Sequence, residues 1–229
     1  MTMQSKNYQL YVFDWDGTVM DTTGLIARGM QQACVTLGYP QPDLDACRET
    51  IGLPFAESFA RVAPRFRYEQ LDEFLTAYRN WYLQREAQVD VMAGLEDLFD
   101  RMTKNGLRLA VATGKSRAGL IRVFERTGLE KYFEATVTAD ESFPKPNPAM
   151  LEKLSDETGV DVREMVMIGD SIHDLQLAQN ARCDAVAVTW GAARLPELQS
   201  YPAVAYVSDV KELICALSLS YLYEESQSA

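Results

Sequence analysis

Leu10-Tyr11-Val12-Phe13-Asp14-Trp15-Asp16-Gly17-Thr18 opens on four apolar or aromatic residues and then breaks into two carboxylates and a glycine. The apolarity is continuous, not alternating, which predicts a strand buried on both faces, as in a parallel sheet. Similar runs recur at Leu107 to Ala112, Ala135 to Thr138, Met165 to Ile168, Ala185 to Thr189 and Ala203 to Val207. Between them apolar residues keep helical spacing, as at Leu95, Leu98, Phe99 and Met102, and again at Met150, Leu151 and Leu154. Asn147 and Pro148 read as N-cap and first-turn proline of the second of these helices. Strands alternating with helices predict a doubly wound α/β sheet. Asp14 and Asp16 then leave the first strand at its carboxyl end, where open α/β sheets place their active sites, and Gly17 allows a sharp turn. Taken alone, the same residues would also make a solvated turn.

One region breaks the alternation. From Met20 to Ala87 no strand pattern is found; Leu25 to Leu37 reads as a helix, and Leu71, Phe74, Leu75, Tyr78, Trp81 and Tyr82 form one apolar helical face. Pro40, Pro42, Gly52 and Pro54 punctuate the stretch. A helical block inserted after the first strand is expected to be a separate subdomain, residues 20–87, with the core formed by 1–19 and 88–229. The aromatic face is read as helix packing, not as a cofactor box. The block carries seven arginines, no lysine and nine acidic residues, a net charge of −2 against −9 for the rest. Ser218 to Ala229 lose apolar periodicity and are expected to fray.

Composition limits the function classes. The 229 residues include 22 Lys and Arg against 33 Asp and Glu, a net charge of −11. An acidic chain lacks the basic footprint that nucleic acid or an anionic membrane surface requires, so neither is expected as a partner. No apolar run approaches a membrane span, and the first ten residues have no secretory apolar region; a cytoplasmic location is expected. Cys34, Cys47, Cys183 and Cys215 are scattered without a CxxC pair and read as reduced thiols. His173 is the single histidine, so a three-histidine zinc site is excluded, and a Ser-His-Asp triad would have to run through it.

Three further motifs follow the first. Val111-Ala112-Thr113-Gly114-Lys115 ends the second core strand, Lys145 lies in Phe143-Pro144-Lys145-Pro146-Asn147-Pro148, and Ile168-Gly169-Asp170-Ser171-Ile172-His173-Asp174 ends a later strand. Gly114-Lys115-Ser116 invites a P-loop reading, but position 109, where the loop needs its first glycine, is Leu109. In order and spacing the four motifs resemble those of the haloacid dehalogenase superfamily, whose members are mostly phosphatases. Within it, the whole chain looks most like the phosphoglycolate and sugar-phosphate phosphatases.

That resemblance implies a Rossmann-like three-layer core with a central parallel sheet and an α-helical cap inserted between the first two motifs. It implies a Mg2+-dependent phosphatase acting on a small-molecule phosphate ester through an aspartyl-phosphate. Asp14 would be the nucleophile and Asp16 the general acid, then base, a role that calls for protonation in the first step. Thr113 and Gly114 would hold phosphoryl oxygens at a strand-to-helix turn, and Lys145 would neutralise charge between Asp14 and phosphate. Mg2+ would be held by Asp14, the Asp16 carbonyl and Asp170, with Asp174 acting through water. A phosphomutase of the β-phosphoglucomutase type shares every core motif and is the alternative, followed by a non-enzymatic regulatory relative. The Asp16 carboxylate argues against dehalogenation. The absence of lysine between Lys6 and Lys104 argues against phosphonate cleavage through a cap Schiff base.

The remaining candidates read as ordinary structure. Asp174 would also serve as a cap of the helix beginning near Ile172, and His173 is a polar first-turn residue there, not a ligand. Arg28 and Arg48 read as a solvated face, Gly52-Leu53-Pro54 as a specificity loop, and Trp15 as contributing backbone more than ring. Monomer and homodimer stay open.

Overall fold

Six strands form one parallel sheet in the order β3-β2-β1-β4-β5-β6 in the computed structural model, which describes residues 7–223. The strands are β1 (Leu10–Phe13), β2 (Leu109–Ala112), β3 (Ala135–Val137), β4 (Met165–Gly169), β5 (Asp184–Val188) and β6 (Ala205–Val207). Every run read as a strand is one, with ends displaced by at most two residues. The α/β expectation is borne out.

The register shows why the runs are apolar throughout. Tyr11, Phe13, Leu109, Val111, Val166 and Ile168 pack into one hydrophobic cluster, with α5 (Leu95–Lys104), α6 (Arg117–Thr127) and α10 (Val210–Ala216). Their alternate neighbours Leu10, Val12, Ala110, Ala112, Met165 and Met167 pack into a second, with α7 (Ala149–Thr158) and α8 (Ile172–Ala181). Successive residues of a strand point to opposite faces, so each central strand feeds two cores. The result is three layers.

Phe13 pairs with Val111 on one side and Ile168 on the other. From β1 the chain passes to β2 and β3 on one flank, then crosses to β4 on the other. Strand order therefore reverses between β1 and β4, which opens a crevice beyond their carboxyl ends.

Between β1 and α5 lie α1 (Thr23–Thr36), α2 (Leu44–Arg48), α3 (Phe55–Val62) and α4 (Leu71–Leu83). They enclose a third cluster that includes Met30, Cys34, Cys47, Phe59, Phe74 and Tyr78. The helices α2 and α3 lie in the stretch punctuated by proline and glycine; Asp43 caps α2 by accepting from the N–H groups of Asp45 and Ala46. Gly29 lets α1 approach α4 closely, since a Cβ there would stand 2.8 Å from Tyr78 Cε2. Met20, where the chain enters these helices, and Val91, where it comes back from them, form an isolated antiparallel bridge. Met92 N–H donates to Val19 O at 2.9 Å and Asp21 N–H to Asp90 O at 3.1 Å.

Three expectations need correction. Pro148, not Asn147, is the N-cap residue of α7, although Asn147 Oδ1 still accepts from Ala149 N–H at 3.0 Å. The chain does not fray from Ser218: Leu219 and Leu222 are buried, and the Arg101 guanidinium stacks 4.3 Å over Tyr223. Residues 224–229 lie outside the described ones. The Trp15 ring is completely buried, edge-on to Phe124 and Phe133 with centroids 5.2 and 5.9 Å away, so the ring contributes packing as well as backbone.

Candidate active site

Asp14 follows β1 directly, and its N–H donates to Ile168 O at 2.9 Å, continuing the ladder past the strand end. Asp170 and Asp174 come from the turn after β4 and the first turn of α8. Asp14, Asp170 and Asp174 each present a carboxylate oxygen within 4.8 Å of the other two, and all three are buried. Lys145, also buried, donates to Asp14 Oδ1 at 2.7 Å and to Asp174 Oδ1 at 2.6 Å. Asp174 Oδ2 accepts from Ser171 N–H and Oγ at 3.0 and 2.7 Å, so the expected capping role is real and both oxygens are engaged. Asp170 Oδ1 accepts from Thr18 Oγ1 at 2.9 Å and Oδ2 from Ala192 N–H at 2.6 Å.

Backbone without side chains makes this crowding possible. A Cβ at Gly17 would lie 2.2 Å from Asp170 Oδ2, and one at Gly191 only 2.1 Å from the same atom. Gly17 also has φ of +90°, a conformation that favours glycine. A Cβ at Gly169 would meet the Asp174 side chain at 2.4 Å.

Charge is unbalanced here. Burial, outweighing the attraction of Lys145, pushes the Asp14 carboxyl well above the usual carboxylate range, with Asp174 and Asp170 adding to the rise. Burial and then Asp174 push Asp170 up to about 7. Burial opposes the Lys145 ammonium, but Asp14 and Asp174 outweigh it and raise its pKa. Three buried carboxylates facing one ammonium want another cation. Their hard oxygens suit Mg2+, so the residues fit a divalent metal ion.

Asp16 stands apart from this cluster. Both its oxygens accept from Lys115 Nζ, at 2.9 and 3.0 Å, and the ammonium lies 5.5 Å from the centroid of the Tyr82 ring on α4. Burial works against the charge of Lys115, but Asp16 outweighs it and holds the ammonium above the ordinary lysine value. Thr113 follows β2 directly, is buried, and its Oγ1 accepts from Lys115 N–H at 3.0 Å; Gly114 beside it is exposed.

Arg28 and Arg48 are exposed, and Arg48 pairs with Asp45 of its own helix at 3.2 Å. His173 is half-buried against the insert: a Cβ on Gly52 would come within 3.0 Å of His173 Cδ2. Leu53, Pro54, Glu57, Phe143, His173 and Gln176 line a cavity of about 610 Å³ between insert and core. Lys115, Thr18, Trp190, Gly191 and Ala192 were not singled out as site residues from the sequence. Trp190-Gly191 follows β5 at its carboxyl end, so the strand-end rule that selected Asp14 and Asp170 would have found them.

The family model for haloacid dehalogenase-like hydrolase matches residues 11–188. A protein of Dickeya dadantii named "Probable phosphatase IndB" is 31% identical, the match covering 90% of this chain and 92% of that one. A phosphoglycolate phosphatase of Agrobacterium fabrum is 28% identical, with 91% of each chain covered. Among solved structures, a haloacid dehalogenase-like family hydrolase from Streptococcus pneumoniae superposes with a TM-score of 0.81 at 20% identity, covering 91% of this chain and 98% of that one. At that identity the likeness concerns the fold alone.

Proposed function

The chain belongs to the haloacid dehalogenase-like hydrolases, and from that premise we propose that it is a Mg2+-dependent phosphatase that cleaves a small phosphorylated metabolite through an aspartyl-phosphate. The observation that carries the reading is the buried contact of Lys145 with Asp14 and Asp174 beside Asp170. A carboxylate held at a strand end with an ammonium on one oxygen can meet a phosphate dianion without prohibitive repulsion. We take residues 20–87 as a cap over this crevice and the protein as cytoplasmic.

In the first step an Asp14 oxygen bonds to phosphorus while the bond from phosphorus to the ester oxygen breaks. Asp16, carrying a proton once Lys115 has released one of its oxygens, passes that proton to the leaving alcohol. In the second step Asp16 accepts a proton from water as the water oxygen attacks phosphorus, and the phosphorus–Asp14 bond breaks to give inorganic phosphate. Thr113 Oγ1 and Gly114 N–H would orient the phosphoryl oxygens at the end of β2. Asp14, the Asp16 carbonyl and Asp170 would hold Mg2+, with Asp174 acting through water. When bound, the ion supplies charge neutralisation at the transferring phosphoryl group. Lys145 keeps Asp14 aimed and lowers the cost of bringing anions together.

Names of relatives add a substrate hint. The Agrobacterium fabrum relative is a phosphoglycolate phosphatase, and we extend its class, small anionic phosphate esters, to this chain. The test is release of inorganic phosphate from a panel of phosphorylated metabolites, with Mg2+ and with chelator, beside Asp14→Asn. Metal-dependent release by the wild type and none by Asp14→Asn is expected. Undiminished release by Asp14→Asn would overturn the assignment.

A further inference from the structure

Asp170 is gripped by two segments, and both lead to the helical insert. One is the stretch after β1, whose Thr18 Oγ1 donates to Asp170 Oδ1 at 2.9 Å and which runs on through Met20 into α1. The other is the Trp190–Arg194 loop after β5. There Ala192 N–H donates to Asp170 Oδ2 at 2.6 Å, and Ala193 N–H donates to the Asp170 main-chain carbonyl at 3.2 Å. The two segments are tied to each other: Trp190 Nε1–H donates to Thr18 O at 3.2 Å.

The loop also touches the insert. The side chain of Ala192 packs against the hydrophobic cluster enclosed by α1 to α4, and Arg194 lies 3.7 Å from Asp45 on α2. So one residue, Ala192, contacts the insert with its methyl group and the Asp170 carboxylate with its amide. Little slack exists, because Gly17 and Gly191 leave no room beside the same Asp170 oxygen: a Cβ on either would lie only 2.2 or 2.1 Å from it. A shift of the insert that moves Ala192 or the Thr18 segment must therefore move the hydrogen-bond donors of this carboxylate.

We propose that the Trp190–Arg194 loop and Thr18 are positioning elements that couple the seating of the helical insert to the orientation of the Asp170 carboxylate, and through it to divalent-metal affinity. This rests on Asp170 as a metal ligand, the reading given above. Groups that orient a ligand from behind alter metal affinity by about 10- to 100-fold when removed. Coupling is reciprocal: whatever seating of the insert adds to metal affinity, metal binding adds to seating. The Arg194–Asp45 pair is exposed on both sides and contributes little by itself. Ala192 carries the link.

The experiment is isothermal titration of the full chain with Mg2+, without substrate, on five variants, each checked by circular dichroism. Asp170→Asn tests the underlying reading; undiminished Mg2+ affinity there would refute the metal site itself. Thr18→Val, which keeps shape and loses the hydroxyl, is expected to weaken binding about tenfold or more, and Thr18→Ser to restore it. Ala192→Glu keeps the amide donor but places a charge against the insert's apolar cluster; it is expected to weaken Mg2+ binding several-fold, with Ala192→Gly intermediate. In the wild type, Mg2+ is expected to slow amide hydrogen exchange in α1 and α2. If Asp170→Asn loses Mg2+ while Thr18→Val and both Ala192 variants bind like wild type, the coupling is wrong. If Ala192→Glu fails to fold, unchanged exchange in α1 and α2 on adding Mg2+ to the wild type overturns it independently.

Discussion

Lys115 places its ammonium between the two carboxylate oxygens of Asp16, 2.9 and 3.0 Å away, although 99 positions separate the residues in sequence. Three segments meet at this pair: the end of β1, the end of β2 and, through the Tyr82 ring, helix α4 of the insert. The acid and base of the proposed reaction is thus aimed by a residue that touches the insert.

Removing that ammonium leaves Asp16 in place but unaimed. Lys115→Met is expected to lower kcat about 10- to 100-fold, the scale of a misplaced catalytic group. Lys115→Arg, which keeps the charge, is expected to recover part of the loss. Steady-state phosphate release on the preferred substrate checks this; wild-type kcat in Lys115→Met would show that Asp16 needs no such aiming.

Lys145 is the ammonium between two buried carboxylates, 2.7 Å from Asp14 and 2.6 Å from Asp174. Lys145→Met removes the shared partner and leaves both buried carboxyl groups facing each other with no cation between them. Breaking a buried pair in this way costs about 3–5 kcal/mol. Urea denaturation in chelator is expected to show a loss of that order, and Lys145→Met is expected to have no measurable turnover. An unchanged urea midpoint would contradict the charge balance described for the crevice.

Stability without metal is expected to fall as pH rises. Burial and Asp174 push Asp170 up to about 7, above the value near 4 of an unfolded aspartate. A group raised on folding stabilises fully below its unfolded pKa, and that contribution is lost as pH climbs through the folded one. Asp14 is raised too and acts in the same direction. Thermal melts in chelator should therefore show Tm dropping between about pH 4 and 7, and excess Mg2+ should flatten the slope. A Tm independent of pH in chelator would contradict this.

Two glycines in α1 give opposite expectations for one substitution. Nothing lies within 4 Å of a Cβ at Gly24, so Gly24→Ala should gain about 0.5–1 kcal/mol from helix propensity alone. At Gly29 the added methyl would meet the buried Tyr78 ring at 2.8 Å, so Gly29→Ala should destabilise by about 1–3 kcal/mol despite the same propensity. Thermal denaturation of the two variants side by side decides it.

Much of this protein was legible in its sequence because a parallel sheet is buried on both faces. Leu10 to Phe13 and Met165 to Ile168 must be apolar at every position, and such runs stand out without knowledge of their partners. Asp14, Asp170 and Lys145 could be found because strand ends and motif order point to them. Lys115 could not be assigned to Asp16, because spacing along the chain says nothing of which side chains meet across the mouth of a sheet. The helices α2 and α3 escaped for a different reason: they are short, and proline and glycine beside them mask the periodicity that longer α1 and α4 display. The buried ring of Trp15 was underestimated because a residue between two carboxylates looks solvated until Phe124 and Phe133 arrive from later in the chain.

The bridge between Met20 and Val91 closes the insert at its neck. To the sheet, everything between those residues is a loop whose two ends already touch, and the entropy of closing a loop grows only with the logarithm of its length. Inserts of different size can therefore be exchanged by two cuts at this neck while β1, β2 and β4 keep their register. The length of the insert is thereby of little consequence to the folding of the sheet.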